Sequence, residues 1–209
     1  MTCLIGAWFF TNHQSAKAPE NPKQTNKPKS HQEKPEPKSK PKQYIYASPT
    51  ANFKKRATKK LFGTFVTPGN SPVSPERFSG YHTGTDAEYG DVKGEITVRT
   101  IATGKVIAAQ YVSGYGGVVA VSSNINGAAH IVIYGHVDPN RLPSVDSQLK
   151  QGQSIAFLGV GYSQQTDGER RHLHLAILAS NTLNWRGYVN SKAELSGWLN
   201  PLTILSQTK

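Results

Sequence analysis

The pattern of apolar and polar positions changes near Phe62. From there on, short apolar runs are separated by Gly, Asn and Asp, and no long helical period appears. Short runs at close spacing with turn residues between them are typical of an all-β domain. The pattern therefore predicts a mainly β fold, an antiparallel β-sandwich or open barrel over residues 61–209, with a short helix between Ser191 and Trp198.

Turn residues between the runs predict two hairpins. Ile96–Ile101 alternates apolar and polar side chains, and the turn Ala102–Gly104 joins it to Val106–Ala109. Gly117–Ser122 and Ala129–Tyr134 flank an Asn-Gly pair, which is the strongest short-range signal for a two-residue hairpin turn. Two more strands are predicted from the apolar runs Ser154–Leu158 and His172–Leu178.

The chain before the β pattern is basic and rich in proline. Residues 1–60 contain 13 Lys and Arg against 3 acidic residues, so they carry +10 of the chain's net charge of +11. Repeated proline and like charges favour an extended, solvated chain, so we predict a disordered Lys/Pro-rich linker over residues 14–60. A second interpretation stays open, in which this basic tail binds an anionic wall polymer or a membrane surface. Nucleic acid is the least favoured partner, because no aromatic residues are interleaved for base stacking.

Residues 1–13 form a separate apolar segment. Cys3–Phe10 is a run of eight apolar residues, far fewer than the roughly 20 that span a bilayer as a helix. Its length suits the middle of a secretory signal, and Ala16-Lys17-Ala18 resembles a cleavage site, but no basic residue precedes the run. We interpret the segment as a truncated signal or an anchor. Cys3 is the single cysteine, so an internal disulfide is excluded and a bystander thiol is expected.

Five polar side chains of the β region can form one metal-centred site. His82 and Asp86 lie four residues apart in a Gly- and Thr-rich segment that can curl towards one ion. His172 and His174 project to the same face of a predicted strand, with Cα atoms about 6 to 7 Å apart. His136 stands at the end of an apolar strand. Two neutral imidazoles and one carboxylate can hold Zn²⁺ and leave a coordination position open for water.

Other histidines and aromatic residues have simpler explanations. We expect His130 to be a hydrogen-bonded structural residue. For Tyr89, Tyr115 and Tyr162 we expect packing rather than substrate contact, and for Trp185 a role as a core or lid anchor.

Together, the five site residues resemble the lysostaphin-type (LytM-like) zinc metallopeptidases. That family has a His-x-x-x-Asp pair, a later His after an apolar strand, and a His-x-His near the end of the domain. The likeness extends from about Phe62 to Leu205 and includes Gly114–Gly117 and Leu149–Gly159. The resemblance implies a β domain of the duplicated hybrid motif type.

The resemblance also implies roles for the five residues. His82, Asp86 and His174 would bind one Zn²⁺, while His136 and His172 would be the catalytic hydrogen-bonding and acid–base groups beside the water. It implies an endopeptidase that cleaves cross-bridges or stem peptides of bacterial peptidoglycan. Such an enzyme is expected to be exported to the cell envelope, where it is periplasmic, wall-associated or extracellular.

Three departures from the family pattern concern the wall of the groove, one of which is the absence at Gly117-Val118 of an Asn that is common after the Gly-rich turn. Thr166–Arg171 stands before His-x-His where members have a short Gly and Ser/Thr stretch, and Leu175-Ala176 replaces the usual aromatic-Glu pair. Which peptide bond is cut therefore stays open.

Two other functions are kept as alternatives. The first is a catalytically idle domain of the same shape, which binds wall peptide or activates another hydrolase. The second is an adhesion or scaffold protein of the cell envelope that acts through its basic tail. The sequence makes no prediction of the oligomeric state.

Overall fold

The computed structural model describes residues 45–208, which are mainly β and pair in antiparallel fashion. The predicted fold class is therefore confirmed. The predicted segment 1–13 and the tail up to residue 44 lie outside the described residues. The strands are β1 (Phe65–Val66), β2 (Gly80–His82), β3 (Gly84–Glu88), β4 (Thr97–Arg99), β5 (Gly104–Val112), β6 (Gly116–Ile125), β7 (Ala128–Val137), β8 (Gln148–Leu149), β9 (Ser154–Phe157), β10 (His172–Leu178), β11 (Tyr188–Val189) and β12 (Trp198–Leu199). The helices are α1 (Phe53–Arg56), α2 (Lys192–Leu195) and α3 (Pro201–Leu205), with 3-10 turns at Pro139–Arg141 and Gln164–Thr166.

Within residues 45–208, the largest sheet has seven strands in the order β12-β10-β7-β6-β5-β8, and β3 also pairs with β10. Alternate residues of its central strands enter two apolar clusters, one on each face. Val119 and Leu175 belong to the first cluster, whereas Val118 and Ala176 belong to the second. Because both faces are covered, these strands are nearly continuous apolar runs in the sequence.

The hairpin formed by β6 and β7 is confirmed. Its turn residues Asn126 and Gly127 have φ values of 53° and 86°, which are the positive angles of the turn that suits a two-residue hairpin. Val119 then pairs with Tyr134 and Val121 with Val132. The predicted strands around Ser154–Leu158 and His172–Leu178 are also present, as β9 and β10.

The first predicted hairpin is wrong. β4 pairs with β9, with Val98 opposite Ala156, while β5 pairs with β6 and β8. Between the two strands, Ile101 is fully buried and its backbone N–H donates to the Tyr134 hydroxyl at 2.9 Å. Because Ile101 is held in the core, the chain continues away from β4 at this point. The segment that resembled a turn in the sequence therefore does not form a hairpin with β4.

Residues 45–60, which the charge pattern assigned to the tail, pack on the domain. Phe53 is fully buried and Tyr46 is 8% exposed. The backbone N–H of Ile45 donates to Gln207 and that of Arg99 donates to Pro49, at 3.1 and 2.7 Å. A few apolar anchors thus fix a segment whose net charge is strongly positive.

The remaining short elements follow simple capping rules. The hydroxyl of Ser191 accepts a hydrogen bond from the backbone of Glu194 and starts α2, and Asn200 caps α3 in the same way at Leu202. The predicted helix thus covers Lys192–Leu195, and Trp198 begins β12 instead. Among the helices within residues 45–208, none has the length and apolar character needed to cross a membrane.

Candidate metal centre

The pairing of β3 with β10 brings the predicted ligands together. Asp86 lies directly opposite His174 in this ladder. His82 ends β2, and Gly84 opens β3 two residues later. A Cβ at Gly84 would lie 2.6 Å from the His174 ring and 2.6 Å from the Leu175 carbonyl oxygen. Glycine is therefore what allows β3 to approach β10 closely enough for the site to form.

Three donor atoms form a compact triangle at the centre of the site. Nδ1 of His174 lies 3.0 Å from Oδ1 of Asp86 and 3.0 Å from Nε2 of His82, and the third side is 3.3 Å. All three side chains are buried. For a tetrahedral ion with bonds of about 2.0 to 2.2 Å, the ligand atoms would stand roughly 3.3 to 3.6 Å apart. The triangle therefore has nearly the size of one face of a zinc tetrahedron, and the residues fit the ion.

The second nitrogen of each imidazole in the triangle is occupied elsewhere. Nδ1 of His82 faces the Leu61 carbonyl oxygen at 3.3 Å, so it donates there and leaves Nε2 with a lone pair. Nε2 of His174 lies 3.4 Å from the Tyr115 hydroxyl. Such outer contacts are typical of histidines that bind metals. A proton on Nδ1 of His174 can donate to Asp86, and an ion that binds there replaces this proton.

The charge of Asp86 suits a metal ligand. Burial alone would raise the pKa of Asp86, but the facing rings of His82 and His172 and the hydrogen bond with His174 hold it well below its ordinary value. The carboxylate is therefore ionised across the neutral pH range. Two neutral imidazoles and this single negative charge form the donor set that catalytic zinc sites use.

His136 and His172 lie beside the triangle, with their ring centroids 4.1 Å apart. Nδ1 of His172 lies 2.8 Å from the Arg170 carbonyl oxygen and donates to it, and Nε2 lies 3.3 Å from Oδ2 of Asp86. His136 has a φ of 61°, an uncommon backbone state for a residue other than glycine. The structure thus gathers all five predicted residues in one place.

Burial keeps both of these imidazoles neutral. It lowers the pKa of His136 from 6.5 to about 3. It also holds the pKa of His172 well below its ordinary value, helped by repulsion from His136. At neutral pH each ring is therefore unprotonated and keeps a lone pair that can accept a hydrogen bond.

The site opens into a cleft of about 270 Å³. Several lining residues were not predicted as site residues, among them Lys60, Phe78, Glu169 and Tyr188. Lys60 is buried, and its ammonium donates to Glu76 at 3.0 Å and to the Tyr188 hydroxyl at 2.6 Å. No sequence signal marked Lys60, because it follows a run of similar basic residues.

The aromatic residues differ from the expectations in part. Tyr115 is buried as expected, but it also lines the cleft, with ring centroids 5.6 Å from His136 and 5.3 Å from His174. Trp185 lines the cleft too. Packing was the wrong expectation for Tyr162, which is 69% exposed. His130 is hydrogen-bonded to the Leu178 carbonyl oxygen at 2.9 Å, as expected of a structural residue.

Comparison with known families defines the class of protein. The model of peptidase family M23 matches residues 80–185, just over half of the chain and the region of all five site residues. The chain therefore belongs to peptidase family M23, and the resemblance to lysostaphin-type peptidases is confirmed. No curated protein sequence matches the chain.

Solved structures support the same fold. A chain of the SpoIIQ–SpoIIIAH pore-forming complex is 17% identical with a TM-score of 0.52, over 79% of this chain and 93% of that one. Csd3 of Helicobacter pylori is 19% identical with a TM-score of 0.50, over 80% of this chain and 36% of that one. Lysostaphin from Staphylococcus simulans is 19% identical with a TM-score of 0.48, over 75% and 52%. At these identities the likeness concerns the fold alone, and it rests on the first two structures, whose TM-scores are 0.52 and 0.50.

Proposed function

We propose that this member of the family is an active zinc endopeptidase that hydrolyses cross-bridges or stem peptides of bacterial peptidoglycan. The donor triangle of His82, Asp86 and His174 carries the proposal, because it is complete, buried and nearly of the right size for zinc. Family membership supports the peptidase reaction. A domain that only binds wall peptide does not require three converging metal ligands, whereas a zinc peptidase does.

Each proposed ligand is held in place by the surrounding chain. His82 Nε2, Asp86 Oδ1 and His174 Nδ1 would bind the ion, which when bound supplies a Lewis acid and lowers the pKa of water to about 7. The Leu61 carbonyl fixes the ring of His82, and the Tyr115 hydroxyl fixes that of His174. Rings that cannot rotate lose little entropy when the ion binds.

His172 is proposed to be the general base. Its Nδ1 donates to the Arg170 carbonyl oxygen, so the lone pair of its neutral ring is on Nε2, beside the triangle. This nitrogen can take the proton of an attacking water and return it to the departing amine. His136 would stabilise the developing charge or relay the proton, since its ring lies against His172.

The walls of the cleft suit a peptide substrate. Phe78 and Tyr188 stack with ring centroids 5.4 Å apart, and Tyr115 and Trp185 line the same cleft. Rigid aromatic walls can bury an extended peptide and exclude water from the reacting bond. We also propose that the protein acts at the cell envelope, where this substrate lies. Its basic tail would then bind an anionic wall polymer or membrane surface.

An idle binding domain is the second candidate. It is favoured by the fold likeness to a chain of the SpoIIQ–SpoIIIAH complex, which forms an assembly with a second protein. The complete donor triangle favours the enzyme instead.

Digestion of purified peptidoglycan separates the two candidates. The zinc-loaded full-length chain is incubated with the polymer, and new amino termini are identified by mass spectrometry, with a chelator-treated sample and His172→Ala as controls. The enzyme hypothesis expects new termini only in the sample with zinc and the native sequence. A zinc-loaded protein that sediments with the polymer yet releases no termini would establish the binding domain.

A further inference from the structure

Arg170 makes a contact at the metal centre that the family resemblance does not account for. Its guanidinium Nη2 donates to Oδ2 of Asp86 at 2.7 Å and to Oε1 of Glu88 at 2.8 Å. Its Nε donates to Oε2 of Glu88 at 2.9 Å. Arg170 is 7% exposed, so these contacts are shielded from water. A planar guanidinium makes such forked contacts, which a lysine cannot reproduce.

The strand register explains why these three side chains meet. Asp86 and Glu88 are two residues apart on β3 and therefore point to the same face. Opposite them on β10 stand His174 and His172, and Arg170 precedes His172 by two residues. The arginine thus continues the ligand side of the ladder just before the start of β10.

The two oxygens of Asp86 are divided between two sets of partners. Oδ1 faces His174 and His82 at 3.0 and 3.3 Å. Oδ2 faces Arg170 at 2.7 Å and His172 at 3.3 Å. A carboxylate can bind an ion through one oxygen or through both, and the second mode would add a further ligand atom that crowds the position that catalysis needs for water.

We propose that Arg170 is a positioning residue that occupies Oδ2 of Asp86 and thereby makes this carboxylate a single-oxygen ligand, with Glu88 holding Arg170 in place. The inference rests on the proposed zinc site. It also gives a role to the Thr166–Arg171 stretch that departs from the family pattern.

Glu88 has an electrostatic function in this arrangement. A lone guanidinium beside a divalent ion would repel it. Glu88 lies within 2.8 Å of the same guanidinium and cancels its charge. The pair therefore orients Asp86 without changing the net charge of the site, and Asp86 keeps its full negative charge for the ion.

The test measures metal binding by the full-length chain. The zinc dissociation constant is obtained by competition with a chromogenic chelator, and the visible spectrum of the cobalt-substituted protein reports the coordination number. Arg170→Gln is expected to weaken zinc binding by about 10- to 100-fold, the usual effect of losing an outer-shell partner. The cobalt bands should lose intensity, because a carboxylate that binds through both oxygens gives a five-coordinate ion.

Matched variants exclude simpler explanations. Arg171→Gln removes the neighbouring positive charge. The guanidinium of Arg171 donates to the carbonyl oxygens of Val92 and Gly94 and contacts no proposed metal ligand. This variant should therefore bind zinc like the wild type. Arg170→Lys should still bind zinc weakly, because lysine restores the positive charge but cannot make the forked contacts of a guanidinium. Adding Glu88→Gln to Arg170→Gln should cause no further loss, since Glu88 acts through the arginine.

Unchanged zinc affinity and cobalt spectrum in Arg170→Gln would overturn the inference, as would full recovery in Arg170→Lys. If Arg170→Gln does not fold, Glu88→Gln decides, and a native zinc affinity and spectrum in that variant would be equally decisive against it. Both readouts concern binding and not turnover. An inactive wild-type protein would therefore refute the proposed function without affecting this test.

Discussion

Replacement of Gly84 by alanine tests whether the close approach of β3 and β10 builds the site. The added Cβ would stand 2.6 Å from Cε1 and Nε2 of His174 and 2.6 Å from the Leu175 carbonyl oxygen. Ordinary contacts of such atoms are about 3.5 Å or longer, so the strand and the ring must separate by nearly 1 Å. Overpacking of this kind costs about 1 to 3 kcal/mol.

The functional effect should exceed the effect on stability. Ligand positions must hold to within about 0.5 Å of the productive geometry, and the donor triangle includes the ring that the new methyl group displaces. A misplacement of about 1 Å can reduce turnover by roughly 100-fold. We therefore expect Gly84→Ala to remain folded at neutral pH, with a lower urea midpoint, at least tenfold weaker zinc binding and little peptidoglycan cleavage.

Gly90→Ala is the matched control. It lies just beyond the end of β3, and a Cβ there would meet no atom within 4 Å. Its free energy of unfolding should stay within about 0.5 kcal/mol of the wild type. The measurements are urea denaturation of the zinc-free protein and competition with a chelator. Native stability and zinc affinity in Gly84→Ala would refute the described approach of the two strands.

The remaining predictions concern the histidines and the amino-terminal part of the domain. His174→Ala should abolish stoichiometric zinc binding, whereas His136→Ala should retain zinc and lose most turnover; equal loss of metal in both, measured by elemental mass spectrometry, would contradict the proposed division between ligand and catalytic group. Because the pKa of His136 falls from 6.5 in the unfolded chain to about 3 in the fold, the unfolded state binds the extra proton below pH 6.5 and the fold loses stability as the pH falls. His136→Gln should therefore lose about 1 to 2 kcal/mol less than the wild type between pH 6.5 and 5, measured by urea unfolding of zinc-free protein; identical losses would count against the buried neutral imidazole. Phe53→Ala should destabilise the domain by about 3 to 5 kcal/mol, whereas removal of residues 14–44 should leave cleavage of a soluble peptide intact and reduce binding to whole walls in a salt-sensitive way. Native thermal stability of Phe53→Ala would contradict the packing of this segment on the domain. Wall binding that does not depend on salt would contradict an electrostatic role of the tail.

The local part of the fold could be predicted from the sequence. The β6–β7 hairpin follows from the Asn126-Gly127 pair, because positive φ angles at two adjacent positions specify the turn and hence the register. The partner of β4 could not be predicted in this way. Its alternating residues show that it is a strand, but nothing local indicates that Val98 pairs with Ala156 far along the chain.

The metal ligands could also be predicted, since the residue types and their order resemble a known family. Their surroundings could not. Lys60 belongs to a segment whose charge pattern predicts a solvated tail, and only the tertiary structure shows that its ammonium is buried between Glu76 and Tyr188. The contact of Arg170 with Asp86 and Glu88 depends on the register of β3 against β10, which the sequence does not reveal.

The central claim is that three side chains from β2, β3 and β10 bind one zinc ion. Anomalous diffraction at the zinc absorption edge, from crystals of the zinc-loaded protein, tests it most directly. We expect one strong peak about 2.0 to 2.2 Å from His82 Nε2, Asp86 Oδ1 and His174 Nδ1. A peak bound by His136 or His172 instead of these atoms, or no peak in the cleft, would contradict the claim.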